Sequence, residues 1–431
     1  MKRLHNMNSV SDRLDTPGRA TTSRTGDLNS KTIALFGMFG AGNLGNECTL
    51  HAMLLNVRRF LPNAQIHCVC TCPDDVKRTH GVLAFEIRDI PLRPIKNPVL
   101  RLLRKTVLGL PIEIQRWQSV MRHLKGTNLL LMTGTGMLSD LGISPMGLHY
   151  DILRWSIAAK LRRCKLMFIS VGAGPIRHPL SRIFVKTALK LADYRSYRDA
   201  FSKRYLERIG LSTTNDVVCP DLAFSLTKEM TSRPRSYGHR RTVVGIGLIK
   251  HRKRRATLEE DETFYQNYIT KVGTFVLWLI EHDYSARILI GDVAYDNPAK
   301  QDLATFLKGR KLPSEHGQII DEPVRSVDDL LSQLAATDLV VASRFHNVLL
   351  ALMLKKPVIA ISFHDKVDSL MNTVGLTQFC QDIEKIDVNK LIEQFTMLEA
   401  NSDRIVRELR QNAESCQEDL EKQYRIIFNH G

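Results

Sequence analysis

The chain has 431 residues, of which 43% are hydrophobic and 25% are charged, and its formal net charge is +16. This length exceeds one ordinary hydrophobic core and predicts two or three domains. No stretch approaches the roughly 18 consecutive apolar residues of a transmembrane helix. No apolar segment follows Lys2 and Arg3, so a secretory signal is not indicated. Residues 1–30 are polar and rich in Ser and Thr, and we expect them to form a disordered lead.

The eight cysteines bear on both metal binding and cellular location. Cys68, Cys70 and Cys72 alternate along an apolar stretch, as the residues of a strand do. Structural zinc sites usually combine two pairs of ligands, and the sequence has no second pair. The pattern therefore favours reduced, mostly buried thiols in a cytoplasmic protein, with no metal or cofactor. Peripheral contact with the inner face of an anionic membrane remains an option.

The excess of positive charge is unevenly distributed along the chain. Residues 230–258 contain no acid, and residues 98–125 contain only Glu113. Such stretches favour acidic partners, namely phosphorylated small molecules, an anionic membrane surface or nucleic acid, or they simply keep the protein in solution. Few aromatic residues lie among these charges, so base stacking lacks support and nucleic acid is the least favoured partner.

The amino-terminal half predicts alternating strands and helices. A first apolar strand is followed by a loop containing Gly40, Gly42 and Gly45, and then by a helix with one apolar face. Such a loop brings the backbone close to a ligand and points a helix N-terminus at an anion, although a tight turn explains it equally well. The predicted strands are 32–36, 65–71, 85–90, 128–132 and 165–171, the predicted helices are 47–60, 150–163, 180–191 and 200–209, and residues 100–124 are amphipathic and basic.

Three of these strands end in glycine-containing turns. The first leads into the loop just described, the strand 128–132 into Thr133-Gly134-Thr135-Gly136, and the strand 165–171 into Gly172-Ala173-Gly174-Pro175. Because the carboxyl ends of parallel strands lie at one edge of a sheet, the three turns predict a shared ligand crevice. Arg198 and Asp199 follow, either as part of this crevice or as an ion pair at the start of a helix.

The second half repeats the alternation. A polar, basic stretch at residues 227–241 is the predicted linker, and a strand at 242–249 then leads into the basic run 250–255. That run either receives a phosphate or diphosphate-linked acceptor or forms an exposed loop. Further strands are predicted at 286–290, 339–342 and 358–361, and helices at 264–282, 327–336, 348–354, 388–398 and 402–428.

A polar turn, Ser343-Arg344-Phe345-His346-Asn347, separates the strand 339–342 from the apolar helix after it. It puts one guanidinium and one imidazole at the carboxyl end of a buried strand, where open α/β sheets build their sites. Arginine binds carboxylate and phosphate groups in a bidentate manner, and histidine exchanges protons near neutral pH. No base and orienting acid accompany Ser343 in a recognisable pattern, so a nucleophilic serine is not indicated.

The order of elements predicts an α/β fold of two facing Rossmann-like domains with a cleft between them. We expect an N-terminal domain at residues 31–226, the linker at 227–241 and a C-terminal domain at 242–398. The last segment, residues 399–431, is expected to form a helix that packs back on the first domain.

Taken together, these motifs resemble those of the polysaccharide pyruvyl transferase family. The resemblance rests on Gly42-Asn43-Leu44-Gly45-Asn46-Glu47, the two turns at 133–136 and 172–175, Arg198-Asp199, Pro220-Asp221, and Ser343-Arg344-Phe345-His346 with Lys366 beyond it. It implies a glycosyltransferase-B-like fold. It also implies transfer of the pyruvyl group of phosphoenolpyruvate to sugar hydroxyls, as a ketal, in cell-surface or exopolysaccharide biosynthesis.

The resemblance further implies roles for single residues. His346 and Arg344 match the family's Arg-x-His pair and are expected to be catalytic, with Arg198 holding the donor from the opposite domain. His346 either moves a proton, only hydrogen-bonds the donor phosphate, or caps the following helix. The expected partners are phosphoenolpyruvate and a glycan or lipid-linked saccharide acceptor. The other substrate-binding candidates are Gly42, Asn43, Gly45, Gly134, Gly136, Gly172, Gly174, Ser343 and Lys366.

Two other functions remain compatible with the sequence. A nucleotide-sugar-dependent glycosyltransferase of the same fold would want a carboxylate in the second half to hold ribose, but residues 347–354 contain none. A non-catalytic, basic binding protein would explain the charge, although it would leave the glycine-ended strands and the pairing of Arg344 with His346 without a purpose.

Overall fold

The computed structural model describes residues 31–88, 109–140, 144–226, 241–251, 257–310 and 318–429. The predicted lead at residues 1–30 lies outside the described residues. So do residues 227–240 of the predicted linker and residues 252–255 of the basic run.

The first half forms a seven-stranded parallel sheet in the order β3-β2-β1-β4-β5-β6-β7. Leu35 in the central strand pairs with Cys68 on one side and with Leu131 on the other. The central strands are buried on both faces, which is why they appear in the sequence as continuous apolar runs. The strands are β1 (Thr32–Phe36), β2 (Gln65–Cys70), β3 (Leu83–Glu86), β4 (Leu129–Thr133), β5 (Lys165–Val171), β6 (Tyr194–Tyr197) and β7 (Val217–Val218).

Helices cover both faces of this sheet. The helices are α1 (Leu44–Phe60), α2 (Pro73–His80), α3 (Gly109–His123), α4 (Leu148–Leu161), α5 (Pro179–Lys190) and α6 (Ala200–Arg208). Crossovers between parallel strands are right-handed. Therefore α1 and α2, which lead from β1 toward the β3 edge, lie on one face, and α3, α4 and α5 lie on the other. Helix α1 begins after Asn43, whose side chain accepts a hydrogen bond from the backbone of Asn46 at 3.3 Å.

The second half forms a six-stranded parallel sheet in the order β10-β9-β8-β11-β12-β13. Its longest crossover helix, α7, starts with a capping box in which Thr257 and Glu260 bond reciprocally. The strands are β8 (Val243–Leu248), β9 (Ser285–Ile290), β10 (Ile319–Ile320), β11 (Leu339–Ala342), β12 (Val358–Ser362) and β13 (Cys380–Asp382). The helices are α7 (Leu258–Glu281), α8 (Asn297–Lys308), α9 (Val327–Ala335), α10 (Phe345–Met353), α11 (Asp365–Thr373), α12 (Val388–Ala400) and α13 (Ser402–Asn429).

Both sheets have the same central topology. The first strand lies between the second and a later strand, β1 between β2 and β4, and β8 between β9 and β11. At such a position the connections leave toward opposite faces, so a crevice opens at the carboxyl ends of the strands. The predicted fold class, α/β with two parallel Rossmann-like sheets, is confirmed.

The apolar core extends through both halves. Leu44 and Leu222 of the first half belong to the same buried cluster as Leu248 and Leu349 of the second. A separate cluster fills the face of the first sheet that α3, α4 and α5 cover. Burial of apolar surface on this scale is the main stabilising contribution to the fold. All eight cysteines are free thiols. Among the described residues, no helix is both long enough and apolar enough to cross a membrane.

Several elements of the structure are absent from the sequence-based prediction. Helices α2, α8 and α11 are short and bury few apolar residues: α2 buries only Val76, α8 buries Ala299, Leu303 and Leu307, and α11 buries Val367 and Met371. Strand β6 has four residues. Helix α10 begins at Phe345 rather than at residue 348. This earlier start matters for the site, because it places the guanidinium and imidazole at the helix N-terminus.

Helix α13 packs on the first half of the chain. The Tyr424 hydroxyl lies 2.9 Å from the Ser225 hydroxyl, and the Gln423 amide donates to the Ser170 hydroxyl at 3.1 Å. Tyr424 is also buried against the ring of Phe60 in α1. These contacts join the end of the chain to the helix that starts the first crossover.

We expect Tyr424→Ala to destabilise the protein by about 3–5 kcal/mol, because it removes a buried aromatic ring and leaves a cavity. The matched control is Ile426→Ala on the same helix. Ile426 is 47% exposed, and its loss should change the free energy of unfolding by no more than about 0.5 kcal/mol. Urea unfolding followed by circular dichroism measures both. Equal effects of the two variants would contradict the packing described for α13.

Candidate active site

The carboxyl edges of the two sheets meet, and the predicted site residues lie on loops from both. The first half contributes the turns after β1, β4, β5 and β6. The second half contributes the turns after β9, β11 and β12. This is the edge at which a parallel sheet presents its ligand-binding loops, and the meeting of two such edges forms a cleft.

The loop after β1 is bonded directly to the second half. The Asn43 side-chain amide donates to the Asp292 carboxylate at 3.1 Å, and the backbone N–H of Leu44 donates to the carbonyl of Gly291 at 3.1 Å. In the other direction, the backbone N–H of Val293 donates to the carbonyl of Gly42 at 2.9 Å. Gly42 and Asn43 therefore fix the distance between the two sheets at the floor of the cleft.

The imidazole of His346 lies against the backbone of Gly45. A β-carbon at Gly45 would be 1.9 Å from Nδ1 of His346, which no real pair of atoms permits. Glycine is thus required at this position by the close approach of a side chain, and not by its φ angle. His346 lies inside the first turn of α10, whose N-cap residue is Arg344. The interpretation of His346 as a helix cap is therefore wrong.

Arg198 enters the cleft at the end of β6 and is almost fully buried. Its Nη1 bonds Asp221 at 3.3 Å and its Nε bonds Asp199 at 3.4 Å. The guanidinium carbon lies 4.3 Å from the centre of the Phe345 ring, a cation–π contact between the two halves. A β-carbon at Gly172 would lie 2.7 Å from Nε of Arg198, so this glycine makes room for the guanidinium. Burial raises the pKa of Asp221 against the opposing charge of Arg198.

Arg344 is held by a buried carboxylate. Its Nε and Nη2 bond the two oxygens of Asp296 at 2.8 and 2.6 Å, and Asp296 is fully buried. Asp296 also accepts hydrogen bonds from the backbone N–H groups of Lys250 and Gly291. Among the described residues, Nη1 of Arg344 has no hydrogen-bond partner. Arg344 is consequently a fixed donor whose charge is largely offset, rather than a free cation.

Lys366 lies in the first turn of α11 and is 9% exposed. Its Nζ lies 3.6 Å from the position of a β-carbon on Gly136, which places it next to the turn after β4. Burial, followed by the charge of Arg198, lowers the pKa of Lys366 from 10.5 to about 7. Lys366 is therefore a cation that can lose its proton near neutral pH.

Positive charge converges on His346 from both halves. Burial first, and then the charges of Arg198, Arg344 and Lys366, lower the pKa of His346 from 6.5 to about 3. The imidazole is thus neutral in the free protein at pH 7. An anion bound beside it would reverse this effect and raise the pKa of His346, because an opposite charge favours the protonated ring.

The other predicted residues support the walls of the cleft. Gly134 lies under the carbonyl of Ser170, and Gly174 has a φ of +84° and packs on the Tyr205 ring. The Ser343 hydroxyl is fully buried and lies 2.9 Å from the Tyr268 hydroxyl. Ser343 thus bonds inside the second half, behind the turn that carries Arg344. Of the basic run 250–255, Lys250 and His251 are described, and the Lys250 ammonium pairs with Asp302 at 3.4 Å.

The sequence analysis did not predict the roles of two residues in the candidate site, Asp296 and Asn347. Asp296 belongs to the stretch Asp292–Asp296, and nothing in its spacing shows that it supports Arg344. Asn347 is fully buried between Gly247 and Gly291, and neither polar atom of its amide has a hydrogen-bond partner among the described residues. A buried amide without a partner usually costs about 1–3 kcal/mol. The one signal in the sequence is a polar residue at the head of an otherwise apolar helix.

A cavity of about 350 Å³ opens beside Arg198, Phe345 and Lys366. It continues between α11 and α13, where Leu370, Val374 and Cys416 line it. A second cavity, of about 380 Å³, lies on the other side of the α1 N-terminus and contains Glu47, whose pKa burial raises to about 7. Within the described residues, no group of three or more His, Cys, Asp or Glu side chains could hold a metal ion.

Comparison with known protein families shows the family to which the chain belongs. The sequence profile of the polysaccharide pyruvyl transferase family matches residues 43–365, well over half of the chain. The chain belongs to this family. Asn43, Arg198, Arg344 and His346 all fall inside the matched stretch, and Lys366 directly follows it. The protein is accordingly a transferase. No curated protein matches the sequence.

Solved structures of the same fold share little sequence with the chain. UDP-GlcNAc 2-epimerase from Methanocaldococcus jannaschii is 13% identical, with a TM-score of 0.55, and the match covers 86% of this chain and 92% of that one. The Neisseria meningitidis UDP-GlcNAc 2-epimerase bound to UDP-GlcNAc is 12% identical, with a TM-score of 0.54, covering 91% and 100%. A glycosyltransferase from Rickettsia africae is 12% identical, with a TM-score of 0.52, covering 94% and 100%. These likenesses confirm the glycosyltransferase-B-like fold.

Gly45→Ala should lower the transfer rate by about 100-fold, because the added methyl group would displace His346, and misplacing a reacting group by about 1 Å has an effect of that size. The matched control is Gly309→Ala. Gly309 has a φ of −72°, and its added β-carbon would lie 3.7 Å from the nearest atom. We expect the control to keep its turnover and both variants to keep a wild-type circular dichroism spectrum. Full turnover in Gly45→Ala would show that the contact with His346 is not needed.

Proposed function

We propose that this transferase moves the pyruvyl group of phosphoenolpyruvate onto two hydroxyls of a saccharide, as a ketal, in the synthesis of a cell-surface or exocellular polysaccharide. The observation that carries the proposal is the convergence of Arg198, Arg344 and Lys366 on His346. These side chains come from both sides of one cleft. A small dianion or trianion is the ligand that would make use of such an arrangement.

Phosphoenolpyruvate has a carboxylate and a phosphate that would be shared between these donors. Arg198 is supplied by the first half and is held in place by Asp221 and the Phe345 ring. Arg344 presents Nη1 from a guanidinium that Asp296 holds in one orientation. Pre-positioned donors of this kind bind an anion at a low entropic cost, because their side chains are already ordered.

The reaction balances without any further reactant. C2 of the donor forms bonds to two sugar oxygens and loses its bond to the phosphate oxygen. Of the two hydroxyl protons, one ends on C3, which becomes a methyl group, and the other ends on the released phosphate. The protein therefore has to move two protons and stabilise the charge that develops at C2 and on the leaving phosphate.

His346 and Lys366 are the groups suited to these proton transfers. Neutral His346 can accept the proton of the attacking hydroxyl, and the bound anion would stabilise the resulting imidazolium. Lys366, with a pKa near 7, can supply a proton at neutral pH. A general acid or base in such a position contributes about 10²–10⁴-fold to the rate. In this proposal both residues contact the reacting atoms.

The cavity beside Arg198 and Lys366 offers a place for the acceptor. Its volume of about 350 Å³ is larger than phosphoenolpyruvate needs. Arg198, Asp199 and Lys366 supply polar groups to the cavity, and the rest of its lining includes Leu349 of α10, Leu370 of α11 and the polar residues Asn412, Ser415 and Asp419 of α13. A glycan or lipid-linked saccharide would enter from this side and present two hydroxyls to the donor.

A nucleotide-sugar-dependent glycosyltransferase is the alternative that the fold neighbours suggest, since one of them is bound to UDP-GlcNAc. The composition of helix α10, which follows the Arg344 turn, argues against a nucleotide-sugar donor. Residues 345–353 of α10 include no acid, and Asn347 and the six residues after it are buried. There is thus no carboxylate on this helix to hold a ribose.

The test is turnover of phosphoenolpyruvate by the full chain with a panel of candidate glycans. We expect phosphate release together with a pyruvyl mass increment on the acceptor. His346→Gln should lower the rate by about 10²–10⁴-fold. Its control, His282→Gln, changes an exposed histidine at the C-terminal end of α7 and should leave the rate unchanged. Arg344→Ala is a poorer probe, because it leaves the buried carboxylate of Asp296 unpaired, a change that costs about 3–5 kcal/mol.

One outcome would contradict the proposed reaction, and another would contradict the proposed role of His346. One is consumption of a nucleotide sugar with no use of phosphoenolpyruvate by the wild-type protein. The other is a wild-type rate of pyruvyl transfer in His346→Gln, which would leave the reaction in place but remove His346 from it.

Binding of phosphoenolpyruvate should weaken as the pH rises above 7. Lys366 has a pKa of about 7 in the free protein, and a bound anion raises that pKa, so binding takes up a proton in the interval between the two values. Above pH 7 the monoester phosphate is already a dianion, since it titrates at about pH 6. The dissociation constant should therefore rise by up to about tenfold per pH unit.

Titration calorimetry in buffers of different ionisation enthalpy measures this proton uptake directly. Lys366→Met is the matched variant, because it keeps the length and apolar stem of the side chain without its titration. We expect its dissociation constant to be higher at pH 7 and to change much less between pH 7 and 9. The same steep pH dependence in Lys366→Met would assign the proton to another group.

A further inference from the structure

We propose that the first turns of three adjacent helices form a docking surface for an anionic lipid bilayer beside the cleft. Five exposed apolar side chains define this apolar rim, namely Leu110, Ile114, Met146, Leu180 and Ile183. Their exposed fractions run from 45% for Leu180 to 72% for Leu110. Single exposed apolar residues are normal on a protein surface, whereas a group of large ones marks a contact site.

The topology brings the five residues to one edge of the first sheet. Helices α3, α4 and α5 lie on the same face, and each runs antiparallel to the strands it connects. Their N-termini therefore all lie at the carboxyl edge, where the cleft is. Leu110 and Ile114 are in the first turns of α3, Met146 precedes α4, and Leu180 and Ile183 are in the first turns of α5.

Side-chain contacts confirm that these helix N-termini adjoin one another. The Tyr150 hydroxyl at the start of α4 donates to Glu113 of α3 at 2.7 Å. The Tyr150 ring lies 5.6 Å from the Phe184 ring of α5, measured between centroids. Ile114 and Ile183 are the sequence neighbours of Glu113 and Phe184. The rim therefore surrounds a packed junction of three helices.

The charge of this face fits an anionic partner. Residues 109–118 and 177–186, which hold the first turns of α3 and α5, contain four Lys or Arg residues and one acid, Glu113. Glu113 accepts a hydrogen bond from Tyr150 and pairs with Arg154 at 3.2 Å and Arg116 at 3.7 Å, so its negative charge is offset. Asp140 accepts hydrogen bonds from the backbone of Arg177 and His178, just before α5. The basic residues are Arg116, Arg177, Arg182 and Lys186.

Apolar side chains within a basic field are the combination that binds the interface of an anionic bilayer. The apolar part inserts into the headgroup region, and the cations are attracted to the lipid phosphates. A second copy of this chain is a poorer fit, because it would place like charges against each other. Docking through the rim would turn the cleft edge toward the bilayer, where a lipid-linked saccharide acceptor would be presented.

Vesicle sedimentation tests the proposal with the full-length protein. We expect binding to vesicles of equimolar phosphatidylglycerol and phosphatidylcholine, and little binding to phosphatidylcholine alone. Replacing Leu110, Ile114, Leu180 and Ile183 together by Ser should lower the partition coefficient by about tenfold or more, since each buried methylene contributes to membrane affinity. The control variant replaces four exposed apolar residues elsewhere, Leu83, Leu161, Met397 and Ile426, and should change the coefficient by less than about twofold.

The proposal is overturned if the wild-type protein does not sediment with anionic vesicles. Wild-type binding by the rim variant, or an equal loss in the control variant, would overturn it as well. Light scattering tests the alternative that a second copy of this chain, and not a bilayer, covers the rim. A dimer of the wild-type protein that becomes monomeric in the rim variant, with no vesicle binding by either, would assign the rim to a second copy.

Failure of this inference can be told apart from failure of the proposed reaction. Vesicle binding is measured without phosphoenolpyruvate, and binding of phosphoenolpyruvate is measured without vesicles. The rim variant should retain the wild-type dissociation constant for phosphoenolpyruvate, because none of its four residues lies in the cleft.

Discussion

The contact between the His346 imidazole and the backbone of Gly45 is the constraint on which the site depends. It requires the first turn of α1 and the first turn of α10 to meet, and these turns belong to different sheets. The hydrogen bonds of Asn43 with Asp292 and of Leu44 with Gly291 hold the same junction. A glycine at position 45 and an imidazole at position 346 are thus one structural feature, although 300 residues separate them in the sequence.

The two arginines at this junction are each paired with carboxylates, which offset their positive charges. Asp296 holds Arg344, and Asp221 with Asp199 holds Arg198, so each guanidinium is oriented and largely neutralised before a ligand arrives. Unpaired burial of such cations would be far more costly than burial with a hydrogen-bonded carboxylate. Lys366 and His346 differ from the two arginines, because burial and the nearby positive charges lower their pKa values and favour their neutral forms. Burial of these four groups side by side is therefore electrostatically tolerable, and in the proposed reaction proton uptake would accompany binding of the anion.

The cleft and the apolar rim have a common origin in the parallel sheet. Because all strands of the first half run in one direction, all crossover helices on one face start at the same edge. The same rule gathers the glycine turns on the inside of the cleft and the N-termini of α3, α4 and α5 on its outside. One topological fact thereby places the candidate site and the apolar rim next to each other.

The sequence by itself determined the α/β class, the two sheets and the turns that carry Arg198, Arg344 and His346, because buried parallel strands and glycine turns are local patterns. It did not predict α2, α8 or α11, which are short helices that each bury only one to three apolar residues. Only the tertiary structure decided that Asp296 supports Arg344, that Asn347 is buried between two glycines, and that His346 is neutral. Pairing, burial and electrostatic field depend on residues far apart in the chain, and no local pattern contains them.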